Sequence, residues 1–299
     1  MDRASPSNLP AILAVIAGLG AFSAMDAVMK SASLAIGVYT AVLLRNCFGS
    51  AIMLPIWFAR GARLPSREGL RVHVTRASVS SVMALLFFFG LVRMPLAEAI
   101  ALSFIAPIIA LWFATLLLGE KIRRRAILAS ALGLAGVMVI AAGRFGEDYS
   151  RDATLGIAAI LASAVLYALN LVLQRKQAQL AGPIEIATVQ NLFVALILMV
   201  AAPLIARSPD ALVLRDTFAG AILATLALLF LSWGYARAEA QVLVPLEYTG
   251  FLWGALFGWL FFRETVTLMT VAGAVVIVIG CTIATREPRR RVGRSPAAP

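Results

Sequence analysis

Apolar runs of membrane-crossing length recur along this chain, separated by short charged connections. A helix rising about 1.5 Å per residue needs roughly 20 apolar residues to cross a bilayer, and in lipid every backbone polar group must be satisfied within the segment. The pattern predicts an all-α integral membrane protein with ten transmembrane helices, over 9–29, 36–58, 74–92, 95–118, 126–142, 153–173, 184–206, 217–236, 242–262 and 266–284. Composition agrees: 61% of the residues are hydrophobic and 14% charged, against about 45–50% and about 25% in soluble domains.

The net charge of +11 raises the question of nucleic acid. The basic residues are scattered among inter-helix loops and form no aromatic-interleaved patch, so no nucleic-acid partner is expected. Cys47 and Cys281 both fall within apolar spans and imply no disulfide framework.

The longest predicted connection, 59–73, carries Arg60, Arg63, Arg67 and Arg71 against Glu68, and the positive-inside rule assigns it to the cytoplasm. Every other loop follows. Both termini are then cytoplasmic, and 18 of the 26 basic residues, Arg76 among them, face the cytoplasm. The expected location is the inner membrane, multi-pass. A rival reading takes Arg3 and the apolar stretch that follows as a cleaved signal peptide, which would remove the first helix.

The chain repeats itself. A shift of 144 residues superposes Gly90 on Gly234, Arg93 on Arg237, Glu120 on Glu264 and Gly136 on Gly280, and sets Asp26 on Asn170 and Lys30 on Gln174. A shift of 145 sets Asn46 on Asn191. Five helices per copy is an odd number, so the second copy enters the membrane from the side where the first left it, and the repeats have inverted topology. The expected units are 1–146, 147–285 and a basic cytoplasmic tail, 286–299. Transporters of this plan bind substrate at the repeat interface near the bilayer centre.

Lys30 closing the first span, Arg45 in the second, Pro107 in the fourth, and the paired stretches Glu120-x8-Ala129-x6-Gly136 and Glu264-x8-Gly273-x6-Gly280 carry a resemblance. With the size and helix number, the chain resembles the EamA-type branch of the drug/metabolite transporter (DMT) superfamily over nearly its whole length. The resemblance implies a central cavity lined mainly by helices 1, 3, 4, 6, 8 and 9, with helices 5 and 10 more peripheral. It implies transport of small metabolites and leaves amino acids, sugars, nucleotide-linked metabolites and cationic drugs open as substrates.

Charges within spans are costly, about 2.5–3.5 kcal/mol on insertion scales, and so face a cavity or a partner. Asp26, Arg45, Glu98 and Glu247 are such residues. Asp26 and Glu98 lie near helix ends, where snorkelling to the outer interface is the alternative. Glu247, after the helix-breaking Pro245, is a candidate proton site or partner of a substrate amine, or else pairs with Arg237. Arg45 lies about 13 Å below the outer boundary at about 1.5 Å per residue, so it requires a partner: Asp26, or the carboxylate of a bound amino acid. Ser78, Ser81, Ser103, Tyr167, Asn170, Gln190, Trp233, Tyr235 and Tyr248 are further cavity candidates, and Trp112 is read as deep. Gly250-x3-Gly254-x3-Gly258 forms a small-residue stripe for another helix of the same chain, or for a homodimer.

No G-x-x-x-x-G-K-[ST] loop, G-x-S-x-G elbow or H-E-x-x-H motif occurs, and His73 is the only histidine. Neither a cofactor nor a metal is expected. The expected function is a secondary transporter, exporting neutral or aromatic amino acids, with a multidrug or other metabolite transporter and a membrane-bound enzyme as alternatives. The expected partners are a small-molecule substrate and the lipid bilayer, with the protein a monomer or homodimer.

Overall fold

The computed structural model describes residues 8–62, 64–93, 96–103, 105–119, 122, 124–142, 151–262 and 268–285. Glu120, Glu264, the expected boundary at 146–147 and the tail 286–299 lie outside the described residues, as do the side chains of Glu98 and Cys281.

The described residues are almost entirely helical, with no strand among them. The long helices are α1 (Leu9–Ile36), α2 (Val38–Ala59), α3 (Arg67–Leu91), α7 (Arg151–Leu180) and α10 (Ala211–Arg237). Over these helices, five stretches are long and apolar enough to cross a membrane. Between them run α4 (Leu96–Ser103), α5 (Ala106–Leu118), α6 (Arg124–Ala142), α8 (Pro183–Met199), α9 (Ala202–Ile205), α11 (Ala240–Leu243), α12 (Thr249–Phe262) and α13 (Leu268–Thr285).

Local chemistry sets the ends. Gly37 alone joins α1 to α2 at φ 92, a backbone conformation that favours glycine, so α1 runs past Lys30 instead of closing there. Ser66 Oγ caps α3 by accepting from Gly69 N at 3.0 Å, which starts that helix before the expected 74. Asp210 caps α10 in the same way through Val213 N at 2.8 Å. Two expected spans are interrupted. The fourth parts into α4 and α5 just ahead of Pro107, whose ring disfavours helical backbone at the preceding residue. The ninth tightens around Pro245 into a 3-10 turn, Val244–Tyr248, between α11 and α12.

Packing joins the first half to the second: α1 lies along α10, α3 along α7, α2 along α8 and α6 along α13. Exchanging the halves maps this set of pairings onto itself. The repeated glycines sit at these crossings. A Cβ on Gly90 of α3 would lie 2.7 Å from the carbonyl oxygen of Gly156 on α7, and one on Gly234 of α10 would lie 3.0 Å from that of Ala11 on α1. Close backbone approach therefore explains why glycine recurs at both positions.

The surface is apolar and the interior carries polar groups. Trp112, expected to be deep, is 65% exposed on α5, and Leu116, Leu128, Leu196 and Trp259 are also exposed. Arg76, Asn46, Asn170, Gln174, Gln177, Gln190 and Asn191 are buried. This inversion fits a chain whose outer surface meets lipid and whose centre holds a polar compartment.

Candidate functional site: a central polar cavity

A cavity of about 210 Å³ lies between the helices of the two halves. It is smaller than the pockets of about 300–1,000 Å³ that hold drug-sized ligands. Its wall takes residues from α1, α2, α3, α4, α7, α8, α10, the 3-10 turn and α12. The helices that the family resemblance implies all contribute, and α2 and α8 do so as well, through Arg45 and Asn46 and through Gln190 and Asn191. Among the described residues, none from α6 or α13 lines it.

Both helix interruptions open onto the cavity. Ser103, at the end of α4, lines it and donates to Ala99 O at 2.9 Å. Glu247, in the 3-10 turn, is 3% exposed and reaches it from the opposite half. Two phenols solvate its carboxylate: Tyr167 donates to Oε2, and Tyr235 donates to Oε1 at 3.2 Å. Arg237, the alternative partner weighed from the sequence, instead donates to Trp233 O at 3.0 Å and lies 3.8 Å over the Trp233 ring. The carboxylate is therefore held by hydrogen bonds with no counter-cation among the described residues within 4.0 Å.

Asp26 and Arg45 both line the cavity, so Asp26 is not simply snorkelling to the interface. They act on each other electrostatically without forming an ion pair within 4.0 Å. Arg45 Nη1 instead lies 3.4 Å from the sulfur of Met25, and its Nε has no acceptor among the described residues.

Arg76 is the residue that the sequence reading placed with the cytoplasmic loop charges, and the structure removes it from them. It is 2% exposed and lines the cavity. Its Nε donates to Asn170 Oδ1 at 3.0 Å, Nη2 donates to Gln174 Oε1 at 2.9 Å, and Nη1 donates to Gln177 Oε1. Ser80 Oγ adds a second donor to Asn170 Oδ1 at 2.9 Å. On its far side Gln177 Nε2 approaches His73 Nδ1, and His73 Nε2 lies 3.2 Å from Glu185 Oε1. A polar chain thus runs from Glu185 to the cavity wall.

Of the other sequence candidates, Tyr167 and Asn170 line the cavity, as does Gln190. Tyr235 stands behind Glu247. Ser78 points away and is exposed, because Ser80, two residues on, takes the inward position. Ser81 is buried but spends its hydroxyl on Ala77 O at 2.8 Å. Trp233 serves as the platform for Arg237, and Tyr248 is buried with its ring against Gly133 of α6, so neither lines the cavity. Glu98 lies on α4, with its side chain outside the described residues. Within the Gly250 stripe, Gly250 has open space beside it, whereas a Cβ on Gly254 would meet Ile100 of α4, another helix of the same chain, at 3.0 Å.

The description "EamA-like transporter family" matches residues 9–142 and again 154–286. The chain is 27% identical over 285 residues to the pseudopaline exporter CntI of Pseudomonas aeruginosa, covering 93% of this chain and 96% of that one. It is 22% identical over 278 residues to an S-adenosylmethionine uptake transporter of Rickettsia felis, covering 93% of each. A crystal structure with 22% sequence identity superposes with a TM-score of 0.78, over 94% of this chain and 99% of the other, and so shares the fold. Two family matches covering nearly the whole chain, apolar helices of membrane-crossing length and a polar cavity between the halves lead to one conclusion. This multi-pass membrane protein belongs to the EamA-like transporter family.

Proposed function

We propose that the chain is a secondary transporter of small zwitterionic metabolites, neutral or aromatic amino acids foremost, which it moves through the central cavity by alternating access. The observation that carries this reading is the cavity's composition. Carboxylates (Asp26, Glu247) and guanidinium groups (Arg45, Arg76) share one wall with the rings of Phe22, Phe87 and Phe88. A solute bearing an ammonium, a carboxylate and an apolar side chain meets a complement for each.

The plan proposed is ten spans in two inverted repeats, 1–146 and 147–285, with both termini cytoplasmic in the inner membrane. Pairing of each first-half helix with a second-half helix supports it, and so do the interruptions in the fourth segment of each half. Discontinuous helices at a repeat interface are where such transporters hold substrate. Outward movement is proposed on the likeness to the Pseudomonas exporter.

Counterflow in proteoliposomes against a panel of labelled metabolites tests the reading. Exchange of phenylalanine, tyrosine or another neutral amino acid above protein-free vesicles supports it. Exchange restricted to permanently cationic drugs, or to solutes lacking an amine, rejects it.

A further inference from the structure

Two guanidinium groups line the cavity, and their surroundings differ. Arg45 has the opposing charge of Asp26 close by. The three bonds of Arg76 all go to neutral carboxamide oxygens, and no carboxylate among the described residues lies within 4.0 Å of it. The three amides fix the plane of the guanidinium and leave its positive charge uncompensated. Of its five N–H groups, two have no partner among the described residues. A buried, uncompensated charge is expensive to hold and gains strongly from a fitting counter-ion.

A second feature lies at the same place. Gln174 is 2% exposed and lines the cavity, and its Oε1 is committed to Arg76. Its Nε2 finds no acceptor among the described residues. Buried amide donors are seldom left unmade, because an orphaned one has lost its water without gaining a partner. An orphan donor beside an uncompensated guanidinium is a pair of groups that one anionic oxygen ligand satisfies together.

We propose that Arg76 and Gln174 form the subsite for the anionic group of the transported solute, a carboxylate in the amino-acid reading, with Asn170 and Gln177 acting as positioning residues that hold the guanidinium in place. This deepens the proposed function and rests on it for the word "transported". Binding of the anion to the cavity can be measured without transport.

The test compares two probes of one shape, 3-phenylpropionate and 3-phenylpropanamide, titrated at constant ionic strength into the purified full-length chain in detergent, with heat of binding as the readout. Expected is a preference for the carboxylate over the amide of about tenfold or more, the scale of one charge-assisted pair. In Gln174→Glu the new carboxylate occupies Arg76, and the preference should vanish or reverse. Gln174→Met, which keeps the chain length and removes both amide atoms, should weaken it. Equal affinity for the two probes in the wild-type chain overturns the proposal and makes the amide cage purely structural. A carboxylate preference unchanged in both variants also overturns it, because the anion then binds elsewhere on the wall. Counterflow tests the transporter reading separately, so a chain that binds the carboxylate but exchanges no amino acid refutes that reading and leaves the subsite standing.

Discussion

The hydroxyl of Tyr167, in the middle of α7, donates to Glu247 Oε2 in the 3-10 turn of the other interrupted segment. With Tyr235 on Oε1, it solvates a buried carboxylate that no cation neutralises among the described residues. Two phenol donors keep the group in place and leave its charge available to a solute.

Glu247→Gln keeps an acceptor for one tyrosine and removes the charge. Folded protein should still reach the membrane, and exchange of amine-bearing solutes should fall by about tenfold or more, the equivalent of one hydrogen bond to a charged group. Rates measured across pH should flatten in the same variant. Unchanged exchange at every pH would leave Glu247 with a structural role only.

Gln177 joins two buried groups: its carbonyl oxygen accepts from Arg76 and its amide nitrogen meets His73 Nδ1. Gln177→Leu orphans both, at a cost of about 1–3 kcal/mol each. Thermal unfolding of the purified protein should shift down clearly. An unfolding temperature equal to wild type would mean that the chain from Glu185 to the cavity contributes nothing to stability.

At Gly90 the added methyl of alanine would meet backbone, the Gly156 carbonyl oxygen at 2.7 Å, whereas at Gly250 it would meet nothing within 4 Å. Gly90→Ala should therefore destabilise by about 1–3 kcal/mol through overpacking. Gly250→Ala should be tolerated. Equal effects on unfolding temperature at the two sites would contradict the observed crossing of α3 and α7.

Much of this arrangement was legible in the sequence because burial from water and burial in lipid leave different marks. The apolar runs gave the helices, and the recurrence of Gly90 at Gly234 marked two helix crossings of the same kind. Asp26, Arg45, Tyr167, Asn170 and Glu247 stood out as polar groups in apolar surroundings, and all five line the cavity. Arg76 did not stand out, since it follows a run of loop arginines and counts equally well as one of them. The signal that marks it lies on another helix. Ser163, Tyr167, Asn170, Gln174 and Gln177 recur at helical spacing and form one polar face on an apolar helix, and that face requires a polar partner. Pro245 reads as helix-breaking and Pro107 does not, since the fourth span reads as one continuous apolar run, and nothing in the sequence foretells that both breaks open onto one cavity, because that depends on tertiary packing.

The proposed orientation puts Asp210 outside and Gly69 in the cytoplasm. Asp210 precedes α10 and Gly69 lies in the first turn of α3. Cysteine at 210 should react with an impermeant thiol reagent added to whole cells, and cysteine at 69 should react only after the membrane is opened. The reverse pattern would invert every loop assignment.

The central claim is that solute passes through the cavity bounded by Arg76, Glu247 and the two helix interruptions. Ser103 lines it, and Ser103→Cys in a background lacking Cys47 and Cys281 places a thiol there with little change of volume. The measurement is amino-acid counterflow in proteoliposomes before and after quantitative modification of that thiol by a bulky maleimide, with and without excess substrate during labelling. The account predicts that modification stops exchange and that substrate slows the modification. Full exchange by the completely modified protein would contradict it.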